Sequence, residues 1–166
     1  MSATLPVLGE PREPAGDDAR RGGTPRRRAR YERGMNFAAV LRESQGVRGD
    51  LPPPPRFARP AADLAERAHR ALYEVSDPEF PISVVDLGLI YGVDADEASG
   101  EVTIRLSFTA TACPCMDFIE WDVRERLLRE PGVSSVAIDV VWDPPWTTAR
   151  ITERGRGILR ATGVAV

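Results

Sequence analysis

The chain has 166 residues, enough for one modest domain with an appendage, and its 22 basic residues, all Arg, face 25 acidic ones for a net charge of −3. The charge is split, with 12 Arg and 7 acids over residues 1–59 against 10 Arg and 18 acids over residues 60–166. An acidic folded half argues against nucleic acid as the main partner, no apolar run approaches the roughly 18 residues of a membrane span, and the N-terminus lacks a signal peptide's apolar core. The chain therefore reads as cytoplasmic, with no membrane partner. There, two nearby cysteines point to reduced, metal-binding or reactive thiols rather than a structural disulfide.

Residues 1–60 read as a disordered Arg/Pro-rich arm and linker. Pro6, Pro11, Pro14, Gly16, Gly22, Gly23 and Pro25 punctuate a segment with few large apolar residues, too few to offset chain entropy. Arg26-Arg27-Arg28-Ala29-Arg30 reads as a solvated run rather than a binding arm. Met35 to Leu41 suits a short helical turn, and Met35 offers an alternative start. Pro52 to Pro55 form a stiff polyproline spacer before a folded unit over 61–166.

The first helix follows from the stripe Leu64, Ala65, Ala68, Leu72 and Val75, with Asp63, Glu66, Arg67, Arg70 and Glu74 facing away. His69, the only histidine, falls beside that stripe and reads as a boundary residue rather than a ligand. Asp77-Pro78-Glu79-Phe80-Pro81 ends the helix in an extended turn. Ile82 to Val93 is rich in β-branched residues and predicts a strand, with Asp86-Leu87-Gly88 as a bend at its start. Asp86 stands inside the apolar run. A buried carboxylate must be hydrogen-bonded or shifted in pKa, so it is either a structural cap or part of a site. Asp94 to Gly100 reads as a hairpin loop.

Val102, Ile104, Leu106 and Phe108 then alternate with polar residues, the period of a strand over 101–108. The period changes at Cys113, and Met116, Ile119, Val123 and Leu127 recur at helical spacing up to about Arg129. Pro114 suits the first helical position, which puts Cys113 at the N-cap and Cys115 in the first turn. Both thiols would feel the positive end of the helix dipole, which favours thiolate. Pro131-Gly132 stops the helix. Val136, Ile138, Val140 and Trp142 alternate as a third strand, parallel to the second because a helix joins them. Trp142-Asp143-Pro144-Pro145-Trp146 is a rigid turn, with Trp142 expected to pack over the sheet edge and Trp146 to sit exposed near the cysteines. Thr152 caps a last short helix that Gly155 and Gly157 weaken. The fold class is α+β, a two-layer arrangement of a small three-stranded mixed sheet with flanking helices.

Five ordered motifs over residues 64–160 carry a resemblance: Asp77-Pro78-Glu79, Val85 to Tyr91, Cys113-Pro114, Pro131-Gly132-Val133, and Val141 to Trp146. Together they resemble the PaaD-like and SufT-like metal–sulfur (iron–sulfur) cluster assembly factors, small α/β domains that help load clusters into client proteins. The resemblance implies a site at Cys113, lined by Asp86, Thr109, Thr111, Trp142, Asp143 and Trp146. Cys115 stands where relatives carry a small or varied residue, so a Cys-x-Cys pair is this sequence's own feature. The chain stops at Val166 without the cysteine-containing extension of PaaD itself, which directs the resemblance to the broader family rather than to the phenylacetate pathway.

Three function classes follow. The first is an assembly or carrier factor, not an enzyme, that binds or transfers an iron–sulfur cluster through Cys113 and Cys115, since soft thiolates suit that chemistry. One chain supplies two thiolates, so a full shell needs a homodimer bridged by a transient cluster, or a client. Its partners would be client apoproteins and other assembly proteins. The second class is a metal-free adaptor docking clients to the machinery. The third, a thiol oxidoreductase, suffers from the tight ring that a Cys-x-Cys disulfide closes. Structural zinc lacks ligands, because two cysteines and one distant histidine leave a tetrahedral shell incomplete.

Overall fold

In the computed structural model, which describes residues 50–110 and 115–165, the first helix of the described residues starts where the sequence supplies a cap. Asp63 accepts the Glu66 amide at 2.7 Å and starts α1, Leu64–Ala71. Leu64, Ala68 and Ala71 are buried, one side chain per turn on a single face. A 3-10 turn, Leu72–Glu74, continues α1 and buries Leu72. Glu66 accepts the Ala62 amide and pairs with Arg70 and Arg59, which hold its carboxyl down to about 2. That stabilisation is present above the ordinary value of 4.5 and is lost as pH falls toward 2.

The expected strand over 82–93 is corrected at both ends. The first strand, β1, is Ile90–Asp96, and residues 82–89 fold as successive tight turns instead. Leu87 N donates to Ser83 O at 2.8 Å, Gly88 N to Val85 O at 3.0 Å, and Leu89 N to Val84 O at 3.0 Å. Ile82, Val84, Val85, Leu87 and Leu89 are all buried, so the apolar run reports burial on every side rather than a pleated face. Ser83 and Asp86 add side-chain bonds that compete with a sheet ladder. Gly88 takes φ +75°, with the Arg150 backbone packed against it, and closes the turn. At its far end β1 runs into the segment expected to be loop, because exposed Asp94 and Asp96 alternate with half-buried Val93 and Ala95. The hairpin then turns over residues 97–100, where Asp96 accepts the Ala98 and Ser99 amides.

β2, Glu101–Leu106, buries Val102, Ile104 and Leu106 and pairs antiparallel with β1, whose register shifts between Ile90 and Gly92. α2, Met116–Leu127, buries Ile119, Asp122, Val123 and Leu127. β3, Ser135–Val140, pairs parallel with β2, as the strand–helix–strand order required. The sheet is therefore three-stranded, mixed and open, in the order β1-β2-β3. α1 packs on β1 and α2 on β3, enclosing one core between helices and sheet. After a second 3-10 turn, Thr148–Arg150, Thr152 caps α3, Glu153–Ala161, by accepting the Gly155 amide at 2.9 Å. No helix of the described residues is long and apolar enough to cross a membrane.

Two register details differ from expectation. α2 begins at Met116, so Cys115 rather than Cys113 occupies the N-cap position, in a near-helical conformation with no side-chain cap bond. The cysteine register was set on Pro114 as first helical residue, but the helix begins beyond that proline. β3 ends at Val140, and Trp142 stands outside the strand. The expected short helical turn from Met35, together with Thr111 and Cys113, lies outside the described residues.

Gly155 and Gly157 sit two residues apart on α3 and give opposite outcomes. A Cβ on Gly155 would lie 2.5 Å from the Asp86 carbonyl oxygen, whereas one on Gly157 would meet nothing within 4 Å. We expect Gly155→Ala to destabilise by about 1–3 kcal/mol through overpacking, and Gly157→Ala to stabilise by about 0.5–1 kcal/mol through helix propensity. Urea denaturation of both variants checks this pair.

Candidate functional site

The described residues that flank the segment expected to carry the site lie where β2 leaves the sheet. Ser107 N donates to Leu89 O at 2.8 Å, which ties the root of the cysteine loop to the 83–89 turn. Phe108 is buried, and Trp142 packs on it at a ring-centre distance of 6.0 Å. Thr109 is exposed. Cys115 is 7% exposed at the start of α2, where its carbonyl accepts the Phe118 and Ile119 amides at 3.1 Å. Among the described residues no three of His, Cys, Asp and Glu converge to hold a metal ion.

Asp86 is the most connected polar group of this region. It is 1% exposed. Ser83 Oγ donates to its Oδ2 and Thr152 Oγ1 to its Oδ1, each at 2.8 Å, and Arg154 Nη1 donates to Oδ2. Its own amide donates to Ser83 Oγ at 3.0 Å, and its carbonyl accepts the Thr152 amide at 2.9 Å. These contacts form a hydrogen-bonded node. They join the turn after α1 to the capped start of α3. The negative charge is compensated by Arg154, whose side chain is 30% exposed.

Trp146 departs from its expected exposure, whereas Trp142 keeps a packing contact with Phe108. Trp146 is half-buried and donates from Nε1 to Leu87 O at 2.9 Å, so it is anchored on the Asp86 turn. Trp142 is 39% exposed beside the root of the cysteine loop. An indole needs a partner for its N–H, and the carbonyls exposed by the unexpected turn at 82–89 supply one. Asp143 is exposed between them. His69 is half-buried, edge-on to Tyr73 at 6.0 Å, and burial lowers its pKa, consistent with a boundary residue.

Sequence reasoning missed three residues that shape this region. Arg150 donates to Gly88 O at 3.1 Å and Ile90 O at 3.3 Å while its guanidinium lies 3.6 Å from the Tyr91 ring centre. Arg154 holds Asp86. Ser83 spans the turn from within. An arginine that forks onto carbonyls carries no local sequence signature, although the spacing Ser83-x-x-Asp86 could have suggested a side-chain turn. Two further hydroxyls, Tyr91 Oη and Ser107 Oγ, are buried with no hydrogen-bond partner among the described residues.

Asp86→Asn keeps the shape but removes the charge and turns one acceptor into a donor, leaving Arg154 without its carboxylate. We expect it to destabilise by about 3–5 kcal/mol, the cost of breaking a buried pair from one side. Asp143→Asn, on the exposed turn, should stay within about 0.5 kcal/mol of the parent. Chemical denaturation compares the two.

Residues 65–140 match the family model described as iron–sulfur cluster assembly protein. An Fe-S protein maturation auxiliary factor of Porphyromonas gingivalis is 45% identical over 84 residues, covering 51% of this chain and 79% of that protein. The Fe-S protein maturation auxiliary factor YitW of Bacillus subtilis is 37% identical over 89 residues, covering 54% of this chain and 86% of its own. A crystal structure of a domain of unknown function, DUF59, from Bacillus anthracis superposes with a TM-score of 0.54 at 32% identity, over 61% of this chain and 93% of that one. The three-stranded sheet with its three helices and the matched length agree, and the chain belongs to the iron–sulfur cluster assembly protein family.

Proposed function

We propose that the chain is an iron–sulfur maturation factor that takes up a cluster through Cys113 and Cys115 and passes it to client apoproteins. The observation that carries this reading is the placing of both cysteines of the sequence at the strand-to-helix junction of a chain that belongs to this family. Thiolates are the ligands iron–sulfur clusters take, and the amino end of α2 favours the thiolate form near its first turn. The cluster is cargo. Two thiolates from one chain leave a four-thiolate shell half complete, so the rest comes from a second copy or from a client's cysteines. The chain's role is that of a factor rather than an enzyme, and it works in the cytoplasm with other assembly proteins. Thr109, Thr111 and Trp142 would line the cluster's approach.

A second reading, a metal-free adaptor that docks clients, is favoured by one observation. Cys115 is 7% exposed, and a buried thiol is a poor ligand unless it moves.

Anaerobic reconstitution with iron and sulfide separates the two. Under the carrier reading the protein gains thiolate-to-iron charge-transfer absorption and dimerises in step with iron content. Cys113→Ser abolishes both, and Cys115→Ser weakens them. If the doubly substituted protein still matures its clients in cells, the thiols are not the working groups and the adaptor reading stands.

A further inference from the structure

Residues 53–59, placed by the sequence in the linker, run along α1 and reach α3. Two arginines hold them, and each divides its guanidinium between a carboxylate and a backbone carbonyl. Arg154 donates from Nη1 to Asp86 and from Nη2 to Pro53 O, the latter at 2.6 Å. Arg70 donates from Nη2 to Glu66 at 2.6 Å and from Nη1 to Arg59 O at 2.7 Å. Between these anchors the Arg70 guanidinium lies 4.2 Å from the Phe57 ring centre, and Tyr73 meets that ring edge-on at 5.9 Å. Proline residues carry carbonyls without amide donors, and a polyproline run is already extended. Such a segment offers acceptors to guanidinium groups with little ordering entropy left to lose.

The seat of this segment continues into the candidate site. Arg154 grips Pro53 and Asp86 at once, and Asp86 organises the 83–89 turn. That turn gives Leu89 O to Ser107 N and Leu87 O to Trp146 Nε1. A contiguous set of hydrogen bonds thus runs from Pro53 to the root of the cysteine loop.

We propose that residues 53–59 form a releasable strap: seated, it keeps Arg154 on Asp86 and orders the 83–89 turn, and lifted, it loosens that turn together with Ser107. The strap then tunes how firmly the loop after Ser107 is held, a use that rests on the cargo-site reading above, although the coupling itself does not. Phe57, 41% exposed, is the removable part of the clasp. Anything that draws the N-terminal segment away acts on the site without touching it.

The test uses the full-length, cluster-free chain, so that its outcome is independent of reconstitution. Two variants lift the strap: Phe57→Ala, and the triple change Pro53→Gly, Pro54→Gly, Pro55→Gly. Trypsin cleavage at Arg56–Phe57 reports seating. Hydrogen exchange over 83–89 and at the Ser107 amide reports coupling. We expect both rates to rise at least about fivefold in each variant, with exchange in the middle of α2 unchanged, as local opening requires. Arg160→Ala, whose partner is Glu153 on the same helix, should move neither. Fast cleavage at Arg56 in the parent protein would show the strap unseated, and faster cleavage with unchanged exchange would show a mere cover. Either result overturns the proposal.

Discussion

A carboxylate moved into a protein interior loses several kcal/mol of hydration unless its lone pairs find donors and its charge finds a partner. Asp86 meets both conditions with side chains from separate parts of the chain: Ser83 within its own turn, and Thr152 and Arg154 at the start of α3. Its backbone carbonyl also receives the Thr152 amide, and Gly155 lacks a side chain where α3 crosses that carbonyl. The capped end of α3 and the turn after α1 are therefore one construction. Remove the carboxylate and three constraints fail together, because the guanidinium and two hydroxyls, one of them the Thr152 hydroxyl that caps α3, lose their common acceptor.

What that construction holds is the surroundings of the cysteine loop. β2 ends in the sheet interior and α2 starts the return to β3, so the described residues 107–110 leave the sheet at the end of a parallel crossover. In open sheets with helical crossovers, such ends are where loops are free to carry chemistry while the framework stays packed. Here the framework side is firm: Leu106 and Phe108 are buried, and Ser107 is bonded to Leu89. The outer side carries Trp142, whose exposed indole rests on Phe108.

The helices and β2 were legible because each has one buried face and the matching period, while β3 is only half-buried at Val136, Ile138 and Val140. Asp63 and Thr152 were legible as caps because capping is local chemistry. The 82–89 segment was not. Its apolar side chains are buried in all directions, and period-based reading cannot tell such a segment from a strand; beside the local Ser83–Asp86 bonds, further anchors come from Arg154 and Thr152, more than 60 residues away. The start of α2 was misplaced for a similar reason, since proline permits a first helical turn without requiring it, and the helix begins after Pro114. The tryptophan roles depended on which carbonyls the misread turn would expose. Family membership was readable from the ordered motifs even where local structure was not, because those motifs record the node and the loop rather than the elements around them.

The saturation of Asp86 also bears on the chemistry of the thiols. A bare carboxylate near a cysteine would raise the thiol pKa and oppose the helix dipole. The carboxylate found here is paired with Arg154 and accepts two hydroxyls, so its charge is largely answered within the node. Both carboxylate oxygens of Asp86 are already committed as acceptors within this node. Under the carrier reading proposed above, thiolates from a second copy or a client would complete the shell around the cargo. A complex that has to borrow its remaining ligands releases its cargo readily, because each exchange of one thiolate for another replaces a bond by a like bond. On that reading, a half-shell would suit transfer rather than storage.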